Sequence, residues 1–233
     1  FTLSVGNLCA QTADTAPHKH RFIELVNNGE FEQAIQELPL VEKWTLDIQN
    51  EDDYIDIEKA LHFGTLLDSI QVVKAYRDSF LLYLVDQIVS YAYSSYKNRN
   101  YLEAIQYYSM SLQIIKEVQG ELHPDYVTLL NNLGSLYKTQ GNYSAAEQYY
   151  LESLRIDKEV FGENHPDYAT SLNNLGGLYY NQGNYSAAEH YLLESLRIYK
   201  DVLGENHPFY ASCLSNLGEL YRIQGNYSAA EQY

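Results

Sequence analysis

Three histidines offer the first candidate chemistry. His123, His165 and His207 recur at one fixed interval, and a row of imidazoles is one means of holding zinc or moving protons. Each directly precedes a proline: Pro124, Pro166 or Pro208. If stacked helix pairs carry them, neighbours stand about 8–10 Å apart. That is too far to share an ion bound at about 2 Å, and no additional ligands accompany them. The expectation is helix-start residues, with no metal and no cofactor.

Enzyme chemistry finds no better footing elsewhere. The chain has no phosphate-cradling glycine loop, no His-Glu-x-x-His and no Gly-x-Ser-x-Gly. Cys213 sits beside Leu214 where other copies carry Leu129 and Ser171, the position of a small buried filler and not of a nucleophile. Glu51, Asp52, Asp53 and Asp56 lack the alternation and central glycine of a calcium loop, so they read as a loop or helix start. His190 falls on an outer helix face. Asn142-Tyr143-Ser144 and its two copies fit a glycosylation acceptor, but turn and capping roles account for both polar residues. No catalytic residue is expected.

Polar residues that neither core nor turn explains form one stripe per copy. They are Thr128, Asn131, Asn132, Ser135 and Lys138; then Thr170, Asn173, Asn174, Gly177, Tyr180 and Asn181; then Ser212, Ser215, Asn216, Glu219 and Arg222. Asparagine is a mediocre helix former, so an Asn-Asn pair in mid-helix needs a reason. Its amide can offer a donor and an acceptor to the backbone of an extended peptide. Equally, Asn132, Asn174 and Asn216 can bridge adjacent copies. Both uses stay open. Specificity would rest with the positions that vary, Lys138, Tyr180 and Arg222.

The elements that carry these stripes repeat. Residues 123–164 and 165–206 agree at 32 of 42 positions, and Gly141–Glu147 returns unchanged at Gly183–Glu189 and Gly225–Glu231. A fixed period in this range means an array whose units bury their apolar faces against neighbours. Pro166 suits a first helical position, and Tyr168, Leu172, Leu175, Leu178 and Tyr179 have the spacing of one buried stripe. Gly183-Asn184 ends that helix, and Ser186 with Glu189 has capping-box spacing. A second helix then buries Ala188, Tyr191, Leu192, Ser195, Leu196 and Ile198. Gly134, Gly176 and Gly218 lie inside first helices, where glycine costs about 1 kcal/mol; close helix approach is the expected reason. Many of the 24 tyrosines occupy core positions such as Tyr137, Tyr150 and Tyr179.

Leu133-Gly134-Ser135-Leu136-Tyr137, then Gly141-Asn142-Tyr143 with Ala146, then Tyr150, together resemble the tetratricopeptide repeat. The 42-residue length and the Gly-Glu-Asn-His-Pro-Asp-Tyr link are similar to its kinesin-light-chain type, common in bacteria. The resemblance covers residues 81–233. It implies an all-α, right-handed superhelical solenoid whose first helices line a concave groove holding a peptide or partner protein. Similar bacterial arrays often precede a caspase-like protease domain. The alternative it implies is therefore a regulatory arm whose catalytic domain lies beyond residue 233.

Earlier residues fit the pattern less well. Leu81–Lys97 reads as a first helix, with Arg99 at the turn-glycine position before Asn100. Gly29-Glu30-Phe31 with Ala34 repeats the family turn. Residues 17–80 read as a degenerate repeat-like helical cap, with Trp44 packed in it, and residues 81–122, 123–164, 165–206 and 207–233 as the array, the last copy incomplete. Phe1–Ala10 resembles the tail of a secretory signal peptide, which favours export (periplasmic or secreted) over a cytoplasmic location; a frayed apolar terminus is the other reading of that stretch. The net charge of −16 argues against nucleic acid and anionic membranes. The best apolar window, 80–93, is broken by Asp86 and reaches no membrane span. Partner identity and oligomeric state are not legible.

Overall fold

A computed structural model describes residues 16–41, 55–69 and 74–233. The leader-like Phe1–Ala10, Trp44 and the acidic run Glu51–Asp53 lie outside the described residues. The chain divides into two units, Phe1–Gln87 and Ile88–Tyr233.

In the first unit, α1 (Ala16–Asn28) and α2 (Phe31–Glu37) form a hairpin, and Pro39 sits in a 3-10 turn, Leu38–Leu40, that follows α2. Asp56 caps α3 (Ile57–Ser69), its carboxylate accepting from the Lys59 N–H at 3.2 Å. That is the helix-start role open to it from sequence. Phe22, Phe63 and Phe80 meet edge to face, with centroids 5.5, 5.3 and 5.4 Å apart. This geometry suits the ring quadrupoles, and all three rings are fully buried. Helix α4 runs Lys74–Lys97. It starts before the expected Leu81 because no glycine or proline interrupts residues 74–80.

The second unit is a solenoid of helix-turn-helix repeats. After the end of α4 come α5 (Tyr101–Val118), α6 (Pro124–Thr139), α7 (Tyr143–Phe161), α8 (Pro166–Asn181), α9 (Tyr185–Leu203), α10 (Pro208–Ile223) and α11 (Tyr227–Ala230). Helices α6 and α7 pack as one pair and α8 and α9 as the next, with α7 against α8 and α9 against α10. Leu172, Leu175 and Leu178 are buried as their spacing predicts, with Tyr168 and Tyr179 half-buried beside them. Each hairpin is closed by stacked tyrosines: Tyr137 on Tyr149 at 5.5 Å, and Tyr179 on Tyr191 at 5.4 Å.

The glycines inside first helices answer a close approach in two copies. A Cβ on Gly134 would lie 2.6 Å from a Tyr150 ring carbon, and one on Gly176 2.6 Å from Leu192 Cγ. Gly218 has only ordinary contacts, at 3.7 Å or more; the counterpart of Tyr150 and Leu192 there falls past Tyr233.

The second helices do not start with the capping box that Ser186 and Glu189 suggest. The cap is Asn184, whose side-chain oxygen accepts from the Ala187 N–H at 3.3 Å; Asn142 and Asn226 do the same. Ser186 is exposed. Glu189 accepts instead from the Tyr221 hydroxyl at 2.6 Å, and Glu147 from Tyr179 at 2.5 Å. These carboxylates tie one repeat's second helix to the next repeat's first.

The turn before each cap is a Schellman closure. Asn142 N–H donates to Tyr137 O and Gly141 N–H to Lys138 O, with Gly141 at φ 76°. Arg99 makes the same closure, its N–H on Tyr96 O and that of Asn100 on Ser95 O, at φ 62°. It is the one non-glycine with positive φ among the described residues. A side chain there is strained by roughly 1 kcal/mol. Arg99→Gly is therefore expected to raise the melting temperature slightly, by thermal denaturation; a lower one would show that the arginine side chain does more than fill the turn.

Candidate functional site

Helices α6, α8 and α10 stand side by side, and their polar stripes meet in a ladder of amides. Asn174 donates through Nδ2 to Asn131 Oδ1 at 3.0 Å, and Asn216 donates to Asn173 Oδ1 at 3.1 Å. The step runs from the first asparagine of one repeat to the second of the next. Asn132 has no such partner, because the place one step before it is taken by Val89. The bridging role read for Asn174 and Asn216 is thus real, and it consumes only half of each amide. Asn131 and Asn173 keep an Nδ2 donor, and Asn174 and Asn216 keep an Oδ1 acceptor, with no further bond among the described residues. All four side chains are half-buried, so the spare groups are held in place yet within reach of solvent.

Other stripe residues are placed differently. Thr170 is tied into its own hairpin, its hydroxyl 2.9 Å from Tyr199 Oη and 3.0 Å from Pro166 O. Ser135 lies against Tyr150, whose phenol burial pushes up to about 12 while the Ser135 hydrogen bond opposes the rise. Thr128 and Ser215 bond back to Pro124 O and Ala211 O at 3.1 and 3.0 Å. Asn181 and Ser212 are exposed. Towards the helix C-termini, Tyr180 donates to Glu219 Oε1 at 3.3 Å, and Glu219 also pairs with Arg222 at 2.7 Å. The Arg222 guanidinium hydrogen-bonded to Glu219 holds that carboxyl below its ordinary range. Lys138 is half-buried beside Gly177.

The histidine row is otherwise engaged. Nδ1 of His123, His165 and His207 accepts from the N–H of Asp125, Asp167 and Phe209, each at 3.2 Å. The imidazoles cap α6, α8 and α10. Among the described residues no group of three or more His, Cys, Asp or Glu is gathered to hold a metal, and no helix is long and apolar enough to cross a membrane. Cys213 is fully buried, its thiol on Leu192 O at 3.2 Å, and burial pushes it up to about 11. A thiol in that state is a poor nucleophile at neutral pH.

Residues 88–159, 146–201 and 169–233 each match the tetratricopeptide repeat family. The chain belongs to that family. Its tetratricopeptide fold is shared with solved structures of low identity. BtubC (BKLC) from P. vanneervenii is 19% identical at a TM-score of 0.61, over 95% of this chain and 88% of that one. A putative kinesin light chain from Podospora anserina, with nearly identical repeats, is 17% identical at 0.55, over 92% of each chain. A Rap protein complexed with Competence and Sporulation Factor is 14% identical at 0.55, over 94% of this chain and 74% of that one. Compared with curated proteins, the sequence finds no match.

The amide ladder is legible as a candidate from residue type and period. The tyrosine–glutamate ties between repeats and the register of the ladder are not. Glu147 and Glu189 recur at the repeat interval within an unchanged segment, which is the available signal, but capping-box spacing accounts for it equally well.

Proposed function

We propose that this tetratricopeptide array is a non-enzymatic scaffold that holds an extended peptide, or an extended segment of a partner protein, along the concave face of α6, α8 and α10. The observation that carries the proposal is the half-used amide ladder. Each bonded pair, Asn131 with Asn174 and Asn173 with Asn216, keeps one donor and one acceptor free. An extended residue presents one N–H and one C=O. Helices packed about 10 Å apart meet a strand rising about 3.3 Å per residue at every third residue. A ladder at that spacing binds backbone, with affinity little dependent on side chains.

The test is selection of random 12-residue peptides displayed on phage, followed by fluorescence anisotropy of the synthesised winners. Asn131→Ala combined with Asn173→Ala is expected to weaken them roughly tenfold, two hydrogen bonds at about 1 kcal/mol each, with circular dichroism unchanged. Methylating a peptide N–H that donates to the ladder is expected to have a similar effect. Equal binding by the double variant would return the amides to a purely structural role.

A further inference from the structure

One cation on the ladder face has no counter-charge. Lys138 extends from the last turn of α6 to α8, where its Nζ lies 3.8 Å from the place of a Cβ on Gly177. Among the described residues it has no hydrogen bond or ion pair, and burial alone, with no neighbouring charge, draws its ammonium below the usual lysine range. A half-buried ammonium without a partner is costly.

One repeat further on, the same step is filled. Tyr180 holds the place of Lys138 in the next copy, and it donates to Glu219, which holds the place of Gly177 in the copy after. Arg222, the third residue in the Lys138 series, also holds Glu219. In this register a side chain from the 138 series meets a carboxylate from the 177 series, and at Gly177 that carboxylate is missing. Nothing in the backbone asks for glycine there. Gly177 has no left-handed φ, and Lys138 Nζ is the one atom its Cβ would meet within 4 Å. The neighbouring Gly176, by contrast, is pinned by Leu192 at 2.6 Å. So a helix-interior glycine costing about 1 kcal/mol leaves an open hollow beside an unpaired cation, next to the Asn131–Asn174 rung.

We propose that Lys138 and the hollow over Gly177 form a subsite for the side-chain carboxylate of one Asp or Glu in the bound peptide. The assignment rests on the groove reading above and adds to it the chemistry of one residue of the partner. A carboxylate is the occupant because Glu219 fills the equivalent place. The chain as a whole carries −16, which disfavours a polyacidic ligand at low salt but acts weakly beyond a Debye length of about 8 Å in physiological salt. The partner segment is therefore one acid in a largely neutral stretch.

The experiment pans the 12-residue phage library on the wild-type chain and on Lys138→Met, then measures the selected peptides by anisotropy. Wild-type winners are expected to share an Asp or Glu at one fixed position. Changing that residue to Asn or Gln is expected to raise Kd about tenfold against wild type, and less than about twofold against Lys138→Met. A second variant, Gly177→Glu, supplies the carboxylate from within; it is expected to raise the melting temperature and to weaken acid-bearing peptides about tenfold. Peptides that need the asparagine ladder but carry no fixed acid would overturn the subsite and leave the groove reading standing. Failure of any peptide to bind wild type would overturn both. Binding only when the acid is replaced by phosphoserine would overturn the carboxylate assignment, and unchanged binding by Gly177→Glu would overturn the location.

Discussion

Gly176→Val is expected to destabilise the protein by about 3 kcal/mol or more, whereas Gly177→Ala, one residue along, is expected to stabilise it by about 1 kcal/mol. Both glycines lie in the interior of α8, so helix propensity favours each replacement equally. What separates them is the other helix of the hairpin. A Cβ at 176 would stand 2.6 Å from Leu192 Cγ, 2.8 Å from its Cδ2 and 3.4 Å from the Ala188 carbonyl oxygen. Leu192 is 1% exposed and Ala188 fully buried, so neither can swing aside into solvent. Valine adds two more carbons and a restricted χ1, and α8 and α9 must separate. In an array each repeat leans only on its neighbours, so both the α7–α8 and the α9–α10 interfaces lose support. Urea denaturation followed by circular dichroism measures the change. Hydrogen exchange at Leu175 and Leu192 locates it. A Gly176→Val protein within about 1 kcal/mol of wild type would mean that the hairpin is looser than these distances require.

The repeats are readable because the residues with special backbone duties cannot be disguised. Gly141, Gly183 and Gly225 all adopt φ between 74° and 77°, and the cap that follows each is an asparagine. Where two residue types compete for one duty, pattern alone misleads. Asn184 and Ser186 are both good caps, and Glu189 stands at capping-box distance from Ser186. The Schellman closure at Gly183 decides between them, because it delivers the chain to Asn184 already turned. The ladder shows a different limit. The sequence period suggests that like meets like, but the bonded step is 43, from Asn131 to Asn174 and from Asn173 to Asn216. That offset comes from how adjacent helices are staggered, which no one-dimensional repeat encodes. In the first unit the aromatic trio joins Phe22, Phe63 and Phe80 from three separate helices, and nothing periodic marks them as neighbours.

Copies that agree so widely make their disagreements informative, and the largest gain in stability is expected where the second copy departs most in polarity. Asp157 is 1% exposed; its Oδ2 accepts from the Ser171 hydroxyl at 2.6 Å, Ser153 Oγ lies 2.6 Å from Ser171 Oγ, and its Oδ1 has no partner. The first copy builds the same interface from Ser111, Ile115 and Leu129, with Ile115 and Leu129 both buried. Replacing a buried, half-satisfied carboxylate by well-packed apolar groups typically stabilises by about 1–4 kcal/mol. Asp157→Ile together with Ser171→Leu is expected to fall in that range at neutral pH, since the first copy shows that the backbone accepts the pair. Ser171→Ala alone is expected to destabilise by roughly 1–3 kcal/mol, because it strips Asp157 of its donor. The pH dependence fixes the cause. Burial raises the Asp157 carboxyl above its ordinary value, with the Ser171 bond opposing. The folded state therefore holds that proton more tightly than the unfolded state, whose value is about 3.9. Its contribution favours folding below that pH and is lost as pH rises from there through the folded value. The advantage of the double variant over wild type should be smallest near pH 3 and largest at neutral pH, read as the difference in melting temperature at each pH. A constant difference across that interval would mean that packing volume, and not the buried carboxylate, separates the two proteins.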